Sequence, residues 1–576
     1  MKTFNELQRN NQRNFGDYKQ VKVAILGDSA TQLLSQMVRA QGFENQLHIR
    51  LYEADYDQID FQILNSKSEL YEFNPEYIIL FLGVDKFKKS FYKCTEISER
   101  KKFAVTQIEL LRNYLHCLDT LSSKIIILNL QERDDSTFGN YANNIQSSLL
   151  YQIRKYNLEL MDMACESSNV FINDLCAMTS RVGHSFARDP KMYVTADITI
   201  SIKFLPAVAQ SLVGTISASE GRIAKCIILD LDNTLWGGVI GDDGIEKIQI
   251  GNLGIGKAFS EFQLWLKELK MRGIILAICS KNNEENAKLP FEKHKEMVLR
   301  LDDIAVFVAN WNNKADNIRR IQEVLNIGFD SMVFLDDNPA EREIVRQNIP
   351  DVIIPNLPSD PAKYLDYLES LNLFETTSFS INDSNRTNQY QVESRRINSK
   401  SNFTDEGAFL KSLEMCCEVS SFNKFNIPRV TQLIQRSNQF NLRTIRYSEK
   451  AIEEIATSEE YLPLTFSLND KFGDNGLVSV VVLKKGIDHL FVDSWVMSCR
   501  VLKRGLEEFI LNYILGEAIS MGYDRIIGQY LPTNKNSLVA DLYKKLNFAD
   551  SQGKWILNVS EAQKYNCFID IVEKNE

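Results

Sequence analysis

The stretch 226–244, CIILDLDNTLWGGVIGDDG, constrains the fold of this chain more than any other segment. Its apolar run at 227–229 leads directly into Asp230 and Asp232, and Thr234 with a glycine-rich segment follows. A short apolar run bounded by turn residues predicts a buried strand of a parallel sheet. Open α/β sheets bind their ligands at the carboxyl ends of the strands. Asp230 can therefore serve as a nucleophile towards phosphorus or as a metal ligand, and Asp232 can transfer a proton.

Two further apolar runs end in polar residues that suit the same site. Ser280 ends the first run, and the run SMVFLDD ends in Asp336 and Asp337. Between them, Lys314 opens the helical stretch KADNIRRIQEVLNIG. Because parallel strands present their carboxyl ends at one edge of the sheet, we expect these side chains to meet there.

The order DxDxT, serine, lysine and DD on successive strand ends resembles the haloacid-dehalogenase-like (HAD-like) phosphotransferases. The resemblance implies that Asp230 attacks phosphorus to form an aspartyl-phosphate, while Asp232 protonates the leaving oxygen and then activates water. Ser280 would hold phosphate oxygens, and Lys314 would offset negative charge. The implied Mg²⁺ ligands are Asp230, the backbone of Asp232, and Asp337 or its neighbour Asp336. The implied phosphate-binding residues are Thr234, Ser280, Lys281 and Lys314.

The spacing of these motifs predicts an open site. The interval from Asp230 to Ser280 is mostly accounted for by one helix and one strand, and the interval to Lys314 is shorter still. Neither interval can hold a large lid domain, and segment 236–254 can form only a small flap. An open site favours a bulky or protein-tethered substrate.

Bulk composition indicates a soluble globular protein. Hydrophobic residues make up 44% of the chain, charged residues 25%, and the net charge is −10. No basic run favours nucleic acid, and no apolar run reaches the roughly twenty residues that span a bilayer. The amino terminus lacks the apolar core of a secretory signal. The ten cysteines show no CxxC spacing, which predicts reduced thiols and a cytoplasmic protein. The oligomeric state stays open.

The amino-terminal third shows the rhythm of a parallel sheet with flanking helices. Apolar runs at 21–29, 77–83, 124–130 and 170–173 alternate with helical patterns. Gly27-Asp28-Ser29 at the end of the first run resembles the first block of SGNH hydrolases, in which the serine is the nucleophile.

The other SGNH blocks are poor. Gly83-Val84-Asp85 lacks the asparagine of the second pattern, and Asp174 is followed three residues later by Ala177, where that pattern has histidine. A serine without a positioned base is a weak nucleophile. We therefore expect a degenerate fold kept for binding or docking, with hydrolysis at Ser29 as the alternative.

The carboxy-terminal third contains a basic loop between a strand and a helix. A Ser- and Asn-rich stretch, 369–402, predicts a partly helical linker, and the strand 489–499 then leads through RVLKRG into the helix 506–519. Backbone N–H groups at such a turn favour an anion. The loop resembles the acetyl-CoA-binding loop of GNAT acyltransferases, although Lys503 stands where the first glycine is expected. The implied acyl-carrier or pantetheine contacts are Arg500, Val501, Lys503, Arg504, Gly505, Asn536 and Tyr543.

Cys499, directly before this loop, is a candidate for an acyl-thioester. Most unpaired strand cysteines are simply buried, but Arg500 and the following helix would favour a thiolate here. Cys226 and Cys279 are rival thiols near the phosphoryl site, and their buried strand positions make them less accessible. Tyr543 is a candidate general acid in acyl transfer.

From end to end, these motifs resemble the FkbH-like family. The resemblance implies an α/β chain of three domains, in which the first has an SGNH- or flavodoxin-like parallel sheet. The second has a HAD-like Rossmannoid sheet without a large cap, and the third is a GNAT-like α/β domain. The predicted ranges are 1–220 for the SGNH-like domain, 221–365 for the HAD-like domain, 366–425 for a linker and 426–576 for the GNAT-like domain.

The implied activity has two steps. The HAD-like domain dephosphorylates a phosphorylated three-carbon acyl donor such as 1,3-bisphosphoglycerate. The acyl group then passes as a thioester to the phosphopantetheine of an acyl carrier protein, or to CoA. The alternatives are a simple Mg²⁺-dependent phosphatase with a docking domain of GNAT-like fold, an acyltransferase in surface-glycan biosynthesis, and an inactive scaffold, which the complete motif set disfavours.

Overall fold

A computed structural model describes residues 2–379, 386–400, 405–533 and 535–572. Contacts divide the chain into two compact units, Met1–Ser219 and Glu220–Glu576. The first unit contains one sheet and the second contains two. The predicted boundaries at 365 and 425, which lie inside the second unit, stay predictions.

The amino-terminal unit is a five-stranded parallel sheet covered by helices on both faces. The strand order is β2-β1-β3-β4-β5, which is the flavodoxin-like order. The strands are β1 (Lys19–Gly27), β2 (Leu47–Glu53), β3 (Tyr77–Phe81), β4 (Lys124–Leu128) and β5 (Val170–Asn173). The helices are α1 (Phe4–Gln8), α2 (Gln32–Glu44), α3 (Ile59–Leu64), α4 (Glu69–Phe73), α5 (Val84–Phe91), α6 (Ile97–Leu118), α7 (Leu149–Cys165), α8 (Leu175–Val182), α9 (His184–Ala187), α10 (Pro190–Ala196) and α11 (Leu205–Ser219). All five residues of β3 are buried, which explains its continuous apolar sequence.

The second unit begins with a four-stranded parallel sheet of order β8-β7-β6-β9. Its strands are β6 (Cys226–Leu229), β7 (Ile275–Ser280), β8 (Val306–Ala309) and β9 (Met332–Leu335). The helices of this part are α12 (Ile240–Asp243), α13 (Gly256–Met271), α14 (Glu284–Lys293), α15 (Lys314–Leu325), α16 (Pro339–Asn348), α17 (Tyr364–Ser370) and α18 (Arg386–Lys400). Between β6 and β7 the chain forms only the one-turn α12 and the core helix α13. The prediction of a sheet without a large cap is therefore confirmed.

The third sheet is mixed and has eight strands in the order β15-β16-β14-β13-β12-β11-β10-β17. The strands are β10 (Met415–Ser420), β11 (Tyr461–Asp470), β12 (Gly473–Lys485), β13 (His489–Met497), β14 (Arg525–Gly528), β15 (Ala549–Ser551), β16 (Lys554–Asn558) and β17 (Ile569–Val572). The accompanying helices are α19 (Glu406–Ser412), α20 (Ile427–Arg436), α21 (Glu449–Thr457), α22 (Leu506–Ser520) and α23 (Leu542–Lys545). The predicted basic loop thus lies between β13 and α22, as its sequence indicated.

The stretch predicted as a linker, 366–425, is not wholly a linker. β10 lies inside it and pairs antiparallel with β11 and parallel with β17. The sequence signal was the alternation in MCCEVS, in which Met415 and Cys417 are buried in the core of the third sheet. Alternating burial of this kind marks a strand with one face in the core.

Helix α18 connects the two sheets of the second unit. Tyr390 packs into the core of the four-stranded sheet, and Gln391 donates to the Ile304 carbonyl at 2.9 Å. One turn further along, Arg396 forms a 2.6 Å ion pair with Asp470 at the end of β11. Arg504 in the basic loop joins the same carboxylate at 3.1 Å. A buried Asp470 thereby ties α18, β11 and the loop together.

In the described ranges, the helices all fall short of the length and apolar character that a bilayer-spanning helix needs.

We predict that Asp470→Asn lowers the free energy of unfolding by about 3–5 kcal/mol, because it leaves two buried guanidinium groups without their carboxylate. Urea denaturation of the full chain measures this change. Asp474→Asn, at the exposed start of β12, is the matched control, and we expect it to stay within about 0.5 kcal/mol of the parent protein. Equal stability of the two variants would contradict the assigned role of Asp470.

Candidate active site

Four polar residues of the second unit meet at the carboxyl edge of the four-stranded sheet. Asp230 follows β6, Ser280 ends β7, and Asp336 follows β9. Lys314 is the first residue of α15, whose amino terminus is capped by the side chain of Asn313. The parallel register of β6 with β7 and β9 brings these strand ends side by side.

Lys314 lies between two carboxylates at the centre of this edge. Its Nζ is 3.0 Å from Asp230 Oδ1 and 2.6 Å from Asp336 Oδ2, and its side chain is 3% exposed. Burial opposes the charged form, but the two carboxylates outweigh burial and raise the pKa of Lys314. The ammonium therefore remains charged and holds the two aspartates together.

A third carboxylate completes an acidic cluster. Oxygens of Asp230, Asp336 and Asp337 all lie within 4.8 Å of one another. Burial and the Asp230 charge raise the pKa of Asp336 to about 6 despite its bond to Lys314. The same two causes raise the pKa of Asp337. Crowded oxygen donors of this kind suit a hard divalent cation, which would relieve their mutual repulsion. The donor set thus fits Mg²⁺.

Asp232 is held apart from this cluster by its own hydrogen bonds. Its Oδ1 accepts from Trp236 Nε1 at 3.0 Å and from the Ile240 N–H at 2.9 Å. Its Oδ2 accepts from Asn282 Nδ2 at 2.8 Å. Burial raises the pKa of Asp232, which favours a proton-donating form. The predicted role of its backbone in metal binding stays a prediction.

The segment after Asp232 forms a small flap. Gly237 and Gln249 exchange two backbone hydrogen bonds, at 3.0 and 2.8 Å, and α12 lies between them. The same segment supplies Trp236 and Ile240 to Asp232, so the flap both borders the site and orients its candidate acid.

The other residues predicted to bind phosphate differ in the bonds that their side chains already make within the protein. Ser280 is buried at the end of β7, and the Thr234 hydroxyl accepts from the Asp337 N–H at 3.2 Å. Lys281 Nζ is bonded to Glu341 at 2.6 Å. Thr234 therefore supports the strand-end loop, while Lys281 already has a carboxylate partner.

Sequence reasoning missed two positioning residues. Asn282 orients Asp232, and Arg342 donates to the carbonyls of Asp336 and Asp337 at 2.6 and 2.8 Å. Arg342 lies in LDDNPAER, one turn into α16, where an inward-facing arginine can reach the preceding loop. Asn282 stands two residues after Ser280, and no periodicity distinguishes it from a surface asparagine.

The basic loop of the third sheet forms a second candidate site, although its guanidinium groups have partners within the protein. Arg504 bonds to Asp470 and to the Arg500 carbonyl, and Arg500 bonds to Ser498 and Gln389. Val501 is fully buried. Lys503, by contrast, is exposed and adopts a left-handed φ of 62°, so it is the cation of the loop that extends outward. Gly505 caps α22 with a φ of 78°.

The other two predicted pantetheine contacts are buried. Asn536 donates to the carbonyls of Asn441 and Leu531 at 2.9 Å each. Burial raises the pKa of Tyr543, whose ring stacks on Trp555. Both side chains lie inside the domain, and their binding roles stay predictions.

The edge of β13 near the loop is paired by the chain itself. β13 and β14 pair only from His489 to Phe491 on β13, and beyond that point Asn441 bridges to Val496. An extended ligand could pair with this edge of β13 only if it displaced the chain around Asn441.

Asp230 lies at the carboxyl edge of the four-stranded sheet, and Cys499 makes its contacts at the opposite edge. Its carbonyl accepts from Asn326 Nδ2 at 2.8 Å, and its Sγ is 3.9 Å from the Tyr390 hydroxyl. Asn326 caps the carboxyl end of α15, which begins at Lys314. At 1.5 Å per residue, α15 places its two ends about 18 Å apart. The phosphoryl site and the candidate thiol are therefore separate.

Lys225, directly before β6, also shows that the contacts of Cys499 lie far from Asp230. Lys225 donates to the Arg436 carbonyl at 3.2 Å. Burial lowers its pKa to about 8, against an opposing effect of Cys499. A strand rise of about 3.3 Å per residue puts Lys225 about 16 Å from Asp230. The part of the second unit that is built around the third sheet, called the third-sheet domain below, thus packs on the amino edge of the four-stranded sheet. The phosphoryl site lies at the carboxyl edge of the same sheet.

The rival thiols are less accessible than Cys499. Cys226 and Cys279 are completely buried, and burial raises the pKa of both. Cys499 is half-buried, so it is the most exposed of these three cysteines.

Comparison with protein families matched residues 22–217 to the FkbH N-terminal domain. Among solved structures, the N-terminal part of BF1531 from Bacteroides fragilis, containing a phosphatase domain complexed with Mg, is 48% identical, with a TM-score of 0.64. That match covers 66% of this chain and 100% of the other. The ribosomal-protein-S18-alanine N-acetyltransferase from Escherichia coli is 17% identical over 26% of this chain and 97% of its own, with a TM-score of 0.21. A search of curated proteins found no match.

We predict that Lys314→Met binds Mg²⁺ at least about tenfold more tightly than the parent protein. The variant removes a positive charge next to three carboxylates, and unit charges about 4 Å apart near a protein surface interact by about 4 kcal/mol. Isothermal titration calorimetry measures the affinity. Lys281→Met, which removes a lysine paired to Glu341, serves as the control and should change it little. Weaker binding by Lys314→Met would show that the cluster is not the cation site.

Proposed function

Because the chain belongs to the FkbH-like family, we propose that it is a bifunctional Mg²⁺-dependent phosphatase and acyltransferase. Its substrate is a phosphorylated three-carbon acyl donor such as 1,3-bisphosphoglycerate. Its product is an acyl thioester on the phosphopantetheine arm of an acyl carrier protein, with CoA as the smaller alternative acceptor. The observation that carries the proposal is the buried Lys314 between Asp230 and Asp336.

In the first step, Asp230 attacks the phosphorus of the terminal phosphate ester. The P–O bond to the three-carbon unit breaks, and Asp232 gives its proton to the leaving oxygen. The hydrogen bonds from Trp236, Ile240 and Asn282 hold Asp232 in place for this transfer. Asp232 then takes a proton from the water that hydrolyses the aspartyl-phosphate.

Charge in this step is balanced by residues already in place. Lys314 offsets the charge on Asp230 and on the phosphoryl oxygens, and Ser280 supplies a hydroxyl beside them. Asp230, Asp336 and Asp337 would hold Mg²⁺, which supplies Lewis-acid stabilisation of the phosphoryl oxygens when bound.

In the second step, the thiol of Cys499 attacks the carbonyl carbon of the acyl phosphate. The C–O bond to phosphate breaks, phosphate leaves, and the acyl group remains as a thioester. Lys225, whose pKa lies near 8, can receive the thiol proton. The thiol of the carrier then displaces Cys499 and takes the acyl group.

The two sites lie at opposite edges of the four-stranded sheet. The acyl phosphate that remains after the first step must therefore leave the first site before it reaches Cys499. The two sites are about 16–18 Å apart along β6 and α15, which is longer than a three-carbon molecule. A direct hand-over between them would need the two sites to come closer together.

A phosphatase with a docking domain is the second candidate function. Two observations favour it: Arg504 is committed to Asp470, and Asn441 covers the edge of β13. In that case phosphate is released, but no acyl adduct forms on either protein.

Intact mass spectrometry of the chain and a carrier protein, incubated with 1,3-bisphosphoglycerate and Mg²⁺, tests the proposal. We expect a glyceryl adduct on the carrier, lost with EDTA or in Asp230→Asn. Cys499→Ala should release phosphate yet carry no adduct, whereas Cys567→Ala, a partly buried thiol elsewhere in the third-sheet domain, should behave as the parent. An adduct that survives Asp230→Asn would refute the assigned nucleophile, and phosphate without any adduct would favour the phosphatase.

A mixture of two single variants tests the separation of the sites. Because the acyl phosphate passes through solvent, Cys499→Ala should supply it to Asp230→Asn in the same tube. We expect the mixture to load the carrier although neither variant does so alone, with a rate that rises with protein concentration. If each variant keeps its own partial reaction but the mixture fails, the intermediate is channelled within one chain.

A further inference from the structure

The amino-terminal unit contains a cleft that the proposed function does not use. The strand order reverses between β1 and β3, and α/β sheets bind ligands at the carboxyl ends of the strands where the order reverses. Asp28 and Ser29 follow β1, and Gly83 follows β3. Two connected lobes of about 160 and 260 Å³ open at this point and share Asp28 and Gly83 in their walls.

The smaller lobe contains two buried hydroxyl groups without a hydrogen-bond partner among the residues described. They are Ser29 Oγ and Thr199 Oγ1, and the two residues are 4% and 5% exposed. Both line the lobe. A buried hydroxyl without a partner is unfavourable for folding, so these groups are available to a ligand. Each can donate one hydrogen bond.

Asp28 forms the wall between the two lobes. Its Oδ1 accepts from the Gly83 N–H at 2.8 Å, and the carboxyl is 7% exposed. Burial raises the pKa of Asp28 to about 7. Near neutral pH a large share of the protein therefore presents a neutral carboxylic acid here, which is a third donor. The charged and titratable groups that line the two lobes with it are Lys86, Asp57, Asp197, Tyr56, Tyr156, Asp85, Lys89, Lys93, Asp60 and Tyr114.

Two of the carboxylates around the lobes are paired with cations. Lys86 bonds to Asp57, and Arg188 bonds to Asp85 at 3.1 Å. Asp197 accepts from the neutral Tyr56 hydroxyl and keeps its charge, while Lys93 lies exposed at the rim of the smaller lobe and offsets that charge. With Asp28 protonated, the smaller lobe therefore offers hydrogen-bond donors and one cation at its rim.

The larger lobe has one apolar and one polar wall. The apolar wall includes Ile59, Phe87, Leu110, Leu130 and Tyr156, and the polar wall includes Asp57, Asp60, Lys86 and Gln107. A ligand that spans both lobes needs hydrogen-bond acceptors at one end and a hydrocarbon or aromatic body at the other.

We propose that this cleft binds a small carboxylate with an alkyl or aromatic body. The carboxylate accepts hydrogen bonds from Ser29 and Thr199, and the body packs against the apolar wall of the larger lobe. This site is built from residues of the first unit alone, and its occupation does not depend on the function proposed for the second unit.

Binding, not hydrolysis, fits the residues around Ser29. Among the described residues that line the two lobes there is no histidine. Asp174 caps α8 through its side chain and lines neither lobe. The aspartates that line the smaller lobe are Asp28, Asp57, Asp85 and Asp197, and the backbone carbonyl of Asp197 accepts from the Ala30 N–H. The serine therefore lacks the base that a hydrolase supplies.

Calorimetric titration of the full chain with benzoate at pH 6 tests the proposal. We expect saturable binding, at least tenfold weaker in Ser29→Ala and in Thr199→Val, and at least tenfold weaker for benzyl alcohol, which lacks the carboxylate. Thr120→Val, which removes an exposed hydroxyl outside the cleft, is the control. The two cleft variants should unfold at or above the parent temperature, because the hydroxyls they lose have no partner. Parent-like binding by both cleft variants would overturn the proposal, as would the absence of saturable binding.

The pH dependence supplies an independent readout. Benzoate is ionised at pH 6 and at pH 8, whereas Asp28 loses its proton between them and then repels the ligand. We expect affinity to fall several-fold from pH 6 to pH 8 in the parent protein and to stay constant in Asp28→Asn. An affinity that rises with pH, or the same fall in Asp28→Asn, would contradict the placement of the carboxylate beside Asp28.

Discussion

Three carboxylates share a small volume at the end of β6 and β9, and their coexistence depends on Lys314. Without its ammonium, Asp230 and Asp336 would face each other in a buried site, where like charges are costly. The lysine can reach both because α15 begins at the carboxyl edge of the sheet and is capped there by Asn313. The strand order, the start of α15 and the two ion pairs together allow Lys314 to offset the charge of the clustered carboxylates.

The same sheet organises the second unit at its other edge. Lys314, the first residue of α15, lies in the phosphoryl site. Asn326, which follows the last residue of α15, donates a hydrogen bond to the carbonyl of Cys499. A single helix thus links two sites that face away from each other. This arrangement keeps a charged acidic cluster distant from a thiol, whose ionisation the negative charge of that cluster would oppose.

Much of this architecture could be predicted from the sequence, because chemistry and periodicity coincide at the strand ends. Asp230 and Asp336 follow apolar runs, Ser280 ends one, and Lys314 opens a helix, and the structure brings these four together. β10 was missed because its alternation spans only six residues inside a polar stretch. Asn282 and Arg342 were missed because their roles depend on tertiary contacts that no local pattern records.

The ion pairs of Asp470 also bear on how such chains can diversify. Arg396 lies between the two sheets in sequence, yet its partner belongs to β11 and is shared with the basic loop. A recombination event that exchanged only the third-sheet domain would separate buried charges that stabilise one another. Domain shuffling should therefore preserve α18 with both of its neighbours, so the second unit is inherited as one block even though it contains two sheets.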